Sequence, residues 1–257
     1  MNDIKDSRLW SITVNDFSEF IGLYKGVENI SGTNMHTLAQ HFRDINLYPA
    51  RDFKKYCQQR LPDIFITYDW HMTMLELLEA VLDGISYIAM LVNEDDPYLN
   101  TEPFLYNGIT FWIDLMFINQ NARDLNAELD ILPQLLNTAD AHLVFSSKAL
   151  TRAWCCYEIA LFNQRIGQNE DRSLIIFVAP SMLDYKLWSG VESTVPSDKI
   201  MLEKKITEDY PGGWISFEYI MLQANLAGEF ASMNSNITQV GTTVQHLKRA
   251  GKKWAMR

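Results

Sequence analysis

The sequence predicts an α/β protein in which helices cover a parallel sheet. Short apolar runs of strand length recur along the middle of the chain, and amphipathic stretches separate them. The predicted strands are Asp63 to Tyr68, Thr110 to Asp114, Ala141 to Phe145 and Ser173 to Val178. The predicted helices between them are Thr73 to Met90, Leu129 to Leu136 and Trp154 to Ile166. This alternation favours right-handed β-α-β units.

Both ends of the chain carry helical patterns. Apolar residues at helical spacing mark Asp16 to Tyr24 and a stretch that opens at Pro49, and the same spacing marks Trp214 to Phe230 and Ile237 to Leu247. We therefore expect a helical N-terminal extension at 1–60 and an α/β core at 61–180. A mostly helical C-terminal part at 181–257 is expected to pack on the core or complete it.

Composition and charge exclude several classes of protein. A chain of 257 residues with 47% hydrophobic residues can bury a large core. Its formal net charge of −10 disfavours nucleic-acid binding, which depends on clustered Lys and Arg. Three cysteines, two of them adjacent, are too few for a secreted disulfide framework. The sequence shows neither the pattern of a signal peptide nor a run of roughly 18 apolar residues, so we expect a cytoplasmic protein that does not bind membranes.

Polar and aromatic residues follow the predicted strands. Ligands of open parallel sheets bind beyond the carboxyl ends of the strands, so these residues are candidates for substrate binding. They are Tyr68, Asp69, Trp70, Asp114, Ser146 and Ser147. Turn-forming residues also gather at strand ends for structural reasons alone, which leaves a purely structural role open for each of them.

The segment SSKALTRAWCCYE, from Ser146 to Glu158, is the most distinctive in the chain. Thr151 is a candidate N-cap of the helix that follows. Trp154 and Glu158 are four residues apart, so both lie on one helix face, with the indole nearer the strand ends. Core packing of the tryptophan and solvation of the glutamate are the alternative.

Other kinds of site are disfavoured. The five histidines show no metal-binding spacing with cysteine or acidic partners, and no glycine-rich phosphate loop is present. Cys155 and Cys156 are interpreted as packing residues of the helix and not as nucleophiles. We therefore expect no metal and no bound cofactor.

Three segments resemble Toll/interleukin-1-receptor (TIR) domains, in the order in which those domains carry them. DIFITYDW resembles their opening strand, FWIDLMFINQN their second strand and loop, and AHLVFSSKALTRAWCCYEIALF their third strand and the helix with a Trp-Cys-x-x-Glu motif. The resemblance covers roughly 61–180 and implies a flavodoxin-like parallel sheet with helices on both faces. Thr67 stands where the family usually has serine. The FWIDLMFINQ run also resembles heterokaryon-incompatibility domains.

The resemblance implies an enzyme that cleaves NAD, with Glu158 as the catalytic residue. Its carboxylate would bind ribose hydroxyls and stabilise an oxocarbenium-like centre, and Tyr68, Trp70 and Trp154 would stack on the rings. NAD would be the substrate, and the product either ADP-ribose or a cyclic form. TIR enzymes often build active sites from two copies, here through a loop at Leu115 to Ala127. Immune or anti-phage defence, with a downstream effector that senses the product, is the implied setting. The alternative is a non-catalytic interaction module.

Overall fold

A computed structural model of the chain confirms the α/β, flavodoxin-like fold: a mixed, mostly parallel sheet with helices packed on it. The structure describes residues 4–24, 26–93, 108–123, 125–145, 148–166, 174–178, 186–210, 212–219, 221–222 and 237–240. By their internal contacts the described residues fall into two compact units, the first within Met1–Ile66 and Trp70–Ala141, the second within Thr67–Asp69 and His142–Thr243.

The described residues contain seven strands. In chain order they are β1 Ser11–Thr13, β2 Cys57–Gln58, β3 Ile64–Tyr68, β4 Thr110–Trp112, β5 Ala141–Phe145, β6 Leu174–Val178 and β7 Ile237–Val240. The helices are α1 Val14–Leu23, α2 Met35–Asp44, α3 Pro49–Asp52, α4 Met74–Asn93, α5 Asp114–Phe117, α6 Leu125–Leu129, α7 Leu132–Thr138, α8 Ala153–Ile166 and α9 Pro196–Asp209. A further helical segment spans 213–219.

The first unit holds the strand order β2-β1-β4-β3. Strands β3 and β4 are parallel, with Ile64 opposite Phe111, whereas β1 runs antiparallel to both β4 and β2. The amides of Asp140 and Ala141 both donate to the carbonyl oxygen of Asp63, so the starts of β5 and β3 adjoin and the two strands run the same way.

The second unit holds the strand order β3-β5-β6-β7. Strand β3 appears in both orders because its residues up to Ile66 belong to the first unit and those from Thr67 to the second. Strand β7 lies antiparallel to β6, with Ile175 opposite Val240. The four strands predicted from the apolar runs therefore occur in the order second, first, third, fourth, as in the flavodoxin-like arrangement.

Local sequence explains where the helices begin. Helix α4 opens with a capping box, in which the Thr73 hydroxyl accepts from the Glu76 amide and the Glu76 carboxylate accepts from the Thr73 amide. Thr13 and Asn34 are the N-caps of α1 and α2, and the side chain of each accepts a hydrogen bond from an amide of the first turn. Within the described part of the chain, no helix is both long and apolar enough to cross a membrane.

Three sequence-based expectations differ from the structure. Asp114 begins helix α5 and does not end a strand. Strands β1 and β2, unpredicted, lie within the N-terminal 60 residues. The helix expected from Ile237 is wrong over Ile237–Val240, because this segment forms β7 and satisfies its backbone groups by pairing with β6. Residues 223–236 and 241–257 lie outside the described residues.

The buried carboxylate of Asp63 links the starts of β3 and β4 by hydrogen bonds. Asp63 is 2% exposed, and its Oδ2 accepts from the amide and the hydroxyl of Thr110 and from Nη1 of Arg60. We expect Asp63→Ala to lower the free energy of unfolding by at least about 2 kcal/mol, because each buried donor left unsatisfied costs about 1–3 kcal/mol. Urea denaturation measures the change.

The matched control is Asp83→Ala, which removes an exposed carboxylate on α4. Its effect should stay within about 0.5 kcal/mol. Equal losses in the two variants would contradict a special role for Asp63.

Candidate functional site

The candidate site lies at the carboxyl end of β3, in the second unit. Strand order reverses at this strand, since the chain places β4 on one side of β3 and β5 on the other. In open α/β sheets this reversal opens a crevice beyond the carboxyl ends of the strands, where ligands bind. Polar residues of β3, β5 and α8 meet here.

Glu158 faces β3 from helix α8. Its side chain is half-buried, and its Oε2 accepts a hydrogen bond of 2.6 Å from the Thr67 hydroxyl. Thr67 is 1% exposed. Hydrogen bonds to an ionised carboxylate are short and about twice as strong as neutral ones. The alternative of a freely solvated Glu158 therefore does not describe this side chain.

His142, on strand β5, forms a hydrogen bond with the same Thr67 hydroxyl. Its Nε2 lies 2.7 Å from Thr67 Oγ1, and its ring packs edge-on against Phe162, four residues beyond Glu158 on α8. Complete burial lowers the pKa of His142 to about 3, so its imidazole is neutral at physiological pH.

Cys155 places the start of α8 against the end of β3. Its thiol lies 3.6 Å from the carbonyl oxygen of Tyr68 and donates to it. Burial, followed by the nearby charge of Glu158 and a smaller contribution from Asp69, raises the pKa of the Cys155 thiol well above its ordinary value. Tyr68, Asp69 and Glu158, three of the predicted site residues, are thus gathered around one buried thiol.

Trp154 is half-buried and tied to helix α9. Its indole N–H donates to Oδ2 of Asp198 at 3.0 Å, and its ring meets Tyr157 edge-on. The structure therefore anchors this tryptophan between two helices of the second unit. An indole held at one edge can still offer a face for stacking.

Three cations lie near Glu192, whose carbonyl accepts a hydrogen bond from the Ala153 amide at the start of α8. Hydrogen bonding and charge from Lys186, then the charges of Arg152 and Lys148, lower the pKa of Glu192. Arg152 also donates to the Thr194 hydroxyl at 2.6 Å. These three cations lie close enough to Glu192 for their charges to act on its carboxylate, although the chain as a whole is acidic.

Trp70 and Asp114 meet in the first unit. The Trp70 indole N–H donates to Oδ2 of Asp114 at 2.9 Å, and the Trp70 ring packs edge-on against His36. Asp114 Oδ1 accepts from the amide of Leu115. Trp70 therefore lies two residues beyond the end of β3, whereas Asp114 begins helix α5, and the two side chains pair with each other.

The segment Leu115 to Ala127, predicted as a loop, begins within α5 and ends within α6. Leu115 and Phe117 are inaccessible to solvent, and the Phe117 carbonyl accepts a hydrogen bond from the Tyr48 hydroxyl. Within the described residues, no three His, Cys, Asp or Glu side chains gather as metal ligands would.

Two predicted site residues, Ser146 and Ser147, lie outside the described residues. Thr151 is not the N-cap of α8, because it belongs to a 3-10 turn and its hydroxyl donates to the Lys148 carbonyl. Sequence reasoning missed Thr67 and His142 as site residues. The sequence carries a signal that could have found them: each is a polar residue inside an otherwise apolar strand, where burial requires a hydrogen-bonding partner.

Comparison with known proteins adds no assignment: no protein-family model, curated protein or solved structure matches the chain.

The cysteines are buried and unpaired by disulfides, which generates a test of their reactivity. Burial raises the pKa of Cys57 to about 12 and raises that of the Cys156 thiol also, as it does for Cys155. Because the thiolate is the reactive form, we expect iodoacetamide at neutral pH to leave the native protein unlabelled. Mass spectrometry should find all three cysteines labelled after denaturation. Rapid labelling of native Cys155 would show instead an accessible, activated thiol.

Proposed function

We propose that the chain is a TIR-type enzyme that cleaves the bond between nicotinamide and ribose in NAD, with Glu158 as the catalytic carboxylate. The observation that carries the proposal is a half-buried glutamate held by Thr67 at the carboxyl end of β3, where strand order reverses. This glutamate closes the Trp-Cys-x-x-Glu segment that resembles the family motif.

The chemistry suits a single carboxylate. The nicotinamide ring nitrogen of NAD is already cationic, so it takes the electron pair of the breaking bond and leaves neutral without an external acid. Positive charge then develops on the ribose. Glu158 stabilises that charge and accepts hydrogen bonds from the ribose hydroxyls, each contributing about 1.5–3 kcal/mol. Water attack at the same carbon releases one proton and yields ADP-ribose.

The second unit supplies further groups for the substrate. Tyr68, Asp69 and Trp154 are the proposed contacts for ring and sugar groups, and the cations around Glu192 suit a diphosphate, which requires positive charge. Ser146 and Ser147 are proposed contacts on their sequence positions at the end of β5. Trp70 and Asp114, of the first unit, are proposed only on their sequence positions at the ends of predicted strands.

Two further features belong to the proposal. Attack on the ribose by an atom of the same NAD molecule, in place of water, gives a cyclic product that a downstream effector would sense in immune or anti-phage defence. A cytoplasmic location agrees with the free state of all three cysteines. Chromatography of the products of NAD incubation distinguishes hydrolysis from cyclisation.

An interaction module is the second candidate function. Exposed apolar side chains on the second unit favour it: Ile215 and Tyr219 are 84% and 61% exposed and lie four residues apart on the helical segment 213–219. Exposed apolar surface of this kind is typical of protein-binding faces.

A substitution at Glu158 separates the two functions at one residue. Glu158→Gln keeps the shape of the side chain and removes its charge, so we expect nicotinamide release to fall by about 10²–10³. Thermal melting of the variant checks that it is folded. Glu79→Gln, on the exposed face of α4, is the matched control and should retain full activity.

Two outcomes contradict the proposal. Wild-type turnover by a folded Glu158→Gln variant would remove Glu158 from the catalytic role. Absence of NAD cleavage by the wild type at every protein concentration would favour the interaction module.

Self-association gives a further prediction of the proposed function. TIR-type enzymes often complete their active sites with a neighbouring copy, so we expect the rate of NAD cleavage to rise more steeply than protein concentration. Initial rates from dilute to concentrated protein, with light scattering in parallel, measure this dependence. A rate strictly proportional to concentration would show that one copy suffices.

A further inference from the structure

Three polar side chains of the second unit, those of His142, Thr67 and Glu158, form a continuous hydrogen-bonded line. His142 on β5 lies 2.7 Å from Thr67 on β3, measured from Nε2 to Oγ1, and Thr67 Oγ1 lies 2.6 Å from Glu158 Oε2 on α8. Both distances are those of strong hydrogen bonds. The line connects two strands of the sheet to the helix that covers them.

The direction of these hydrogen bonds follows from the number of protons. The Thr67 hydroxyl has one proton and donates it to the Glu158 carboxylate, which can only accept. Thr67 Oγ1 must then accept from His142, so the proton of the imidazole is on Nε2. The neutral state of His142, with a pKa lowered by burial to about 3, leaves one proton for the two ring nitrogens.

Packing fixes the members of the line. His142 is inaccessible to solvent, and its ring meets Phe162 edge-on with centroids 5.1 Å apart. Thr67 is 1% exposed within a buried strand. A β-branched side chain has few rotamers in such a strand, so its hydroxyl has little freedom to turn away from Glu158.

We propose that Thr67 and His142 are positioning residues for Glu158: His142 orients the Thr67 hydroxyl, and that hydroxyl holds the Glu158 carboxylate in its reactive orientation. This inference rests on the proposed NAD cleavage. A glutamate side chain on a helix rotates about several bonds, and a catalytic carboxylate requires geometry fixed by supporting hydrogen bonds. Neither Thr67 nor His142 needs to touch NAD in this role.

Thr67 provides the first test. Thr67→Val keeps the shape of the side chain and removes the hydroxyl, so we expect kcat for NAD cleavage to fall by about 10–100-fold, with little change in KM. Thr67→Ser retains the hydroxyl and should restore most of kcat. Ile66→Ala, in the same buried strand, controls for destabilisation alone and should retain kcat per folded molecule.

His142 provides the second test. His142→Gln retains an N–H donor near the position of Nε2, whereas His142→Leu removes it, so we expect Gln to retain more kcat than Leu. Nitrogen-15 NMR of the wild type should show His142 neutral and protonated on Nε2 at pH values well above its lowered pKa, the signals being assigned by their loss in His142→Gln. A proton on Nδ1 alone would show that His142 does not donate to Thr67, and would overturn the proposed direction of the hydrogen bonds.

The outcomes separate this inference from the proposed function. If the wild type cleaves NAD, Glu158→Gln does not, and Thr67→Val keeps wild-type kcat per folded molecule, then the positioning role is wrong and the function stands. Equal kcat for His142→Gln and His142→Leu, both at the wild-type value, likewise removes His142 from the role. If the wild type does not cleave NAD, the proposed function fails, and the positioning role fails with it, even where NMR finds the Nε2 proton.

Discussion

Strand β3 is buried along its whole length, so each polar side chain on it or at its ends must find a partner inside the protein. Asp63, at the start, meets Thr110 of β4. Thr67, near the end, meets His142 of β5 and Glu158 of α8. The first contact sets how β4 lies beside β3, and the second sets which face of α8 turns to the sheet.

The same requirement gives Glu158 its unusual setting. A glutamate on a helix is ordinarily solvated, and full burial without a partner would carry a large desolvation cost. Half-burial beside the Thr67 hydroxyl keeps the carboxylate ordered. An ordered carboxylate in a partly dry environment acts more strongly on a developing positive charge than one in water. The hydrogen bond from Thr67 to Glu158 therefore does two things: it gives a buried hydroxyl of β3 its partner, and it orients the carboxylate for the proposed catalysis.

The parallel strands of the core were predictable because each is a continuous apolar run. Ala141–Phe145 forms a strand with the predicted bounds, and Ile64–Tyr68 begins one residue later than predicted. Leu174–Val178 forms the fourth predicted strand, and Ser173 lies outside the described residues. The antiparallel strands were not predictable. Ser11–Thr13 is too short to show a period, and Ile237–Val240 begins a stretch whose apolar spacing also suits a helix. Pairing with a neighbouring strand decides such segments.

By itself the sequence determined the α/β class, the places of the four apolar strands, and the position of Glu158 on a helix after the third of them. Only the tertiary structure decided which groups meet Glu158, and that Trp154 is held by Asp198 and Trp70 by Asp114. Apolar periodicity is a local property and can be read over a few residues. Thr67 lies 75 residues from His142 and 91 from Glu158 along the chain, so these groups become partners only once strand order and helix packing have brought them together.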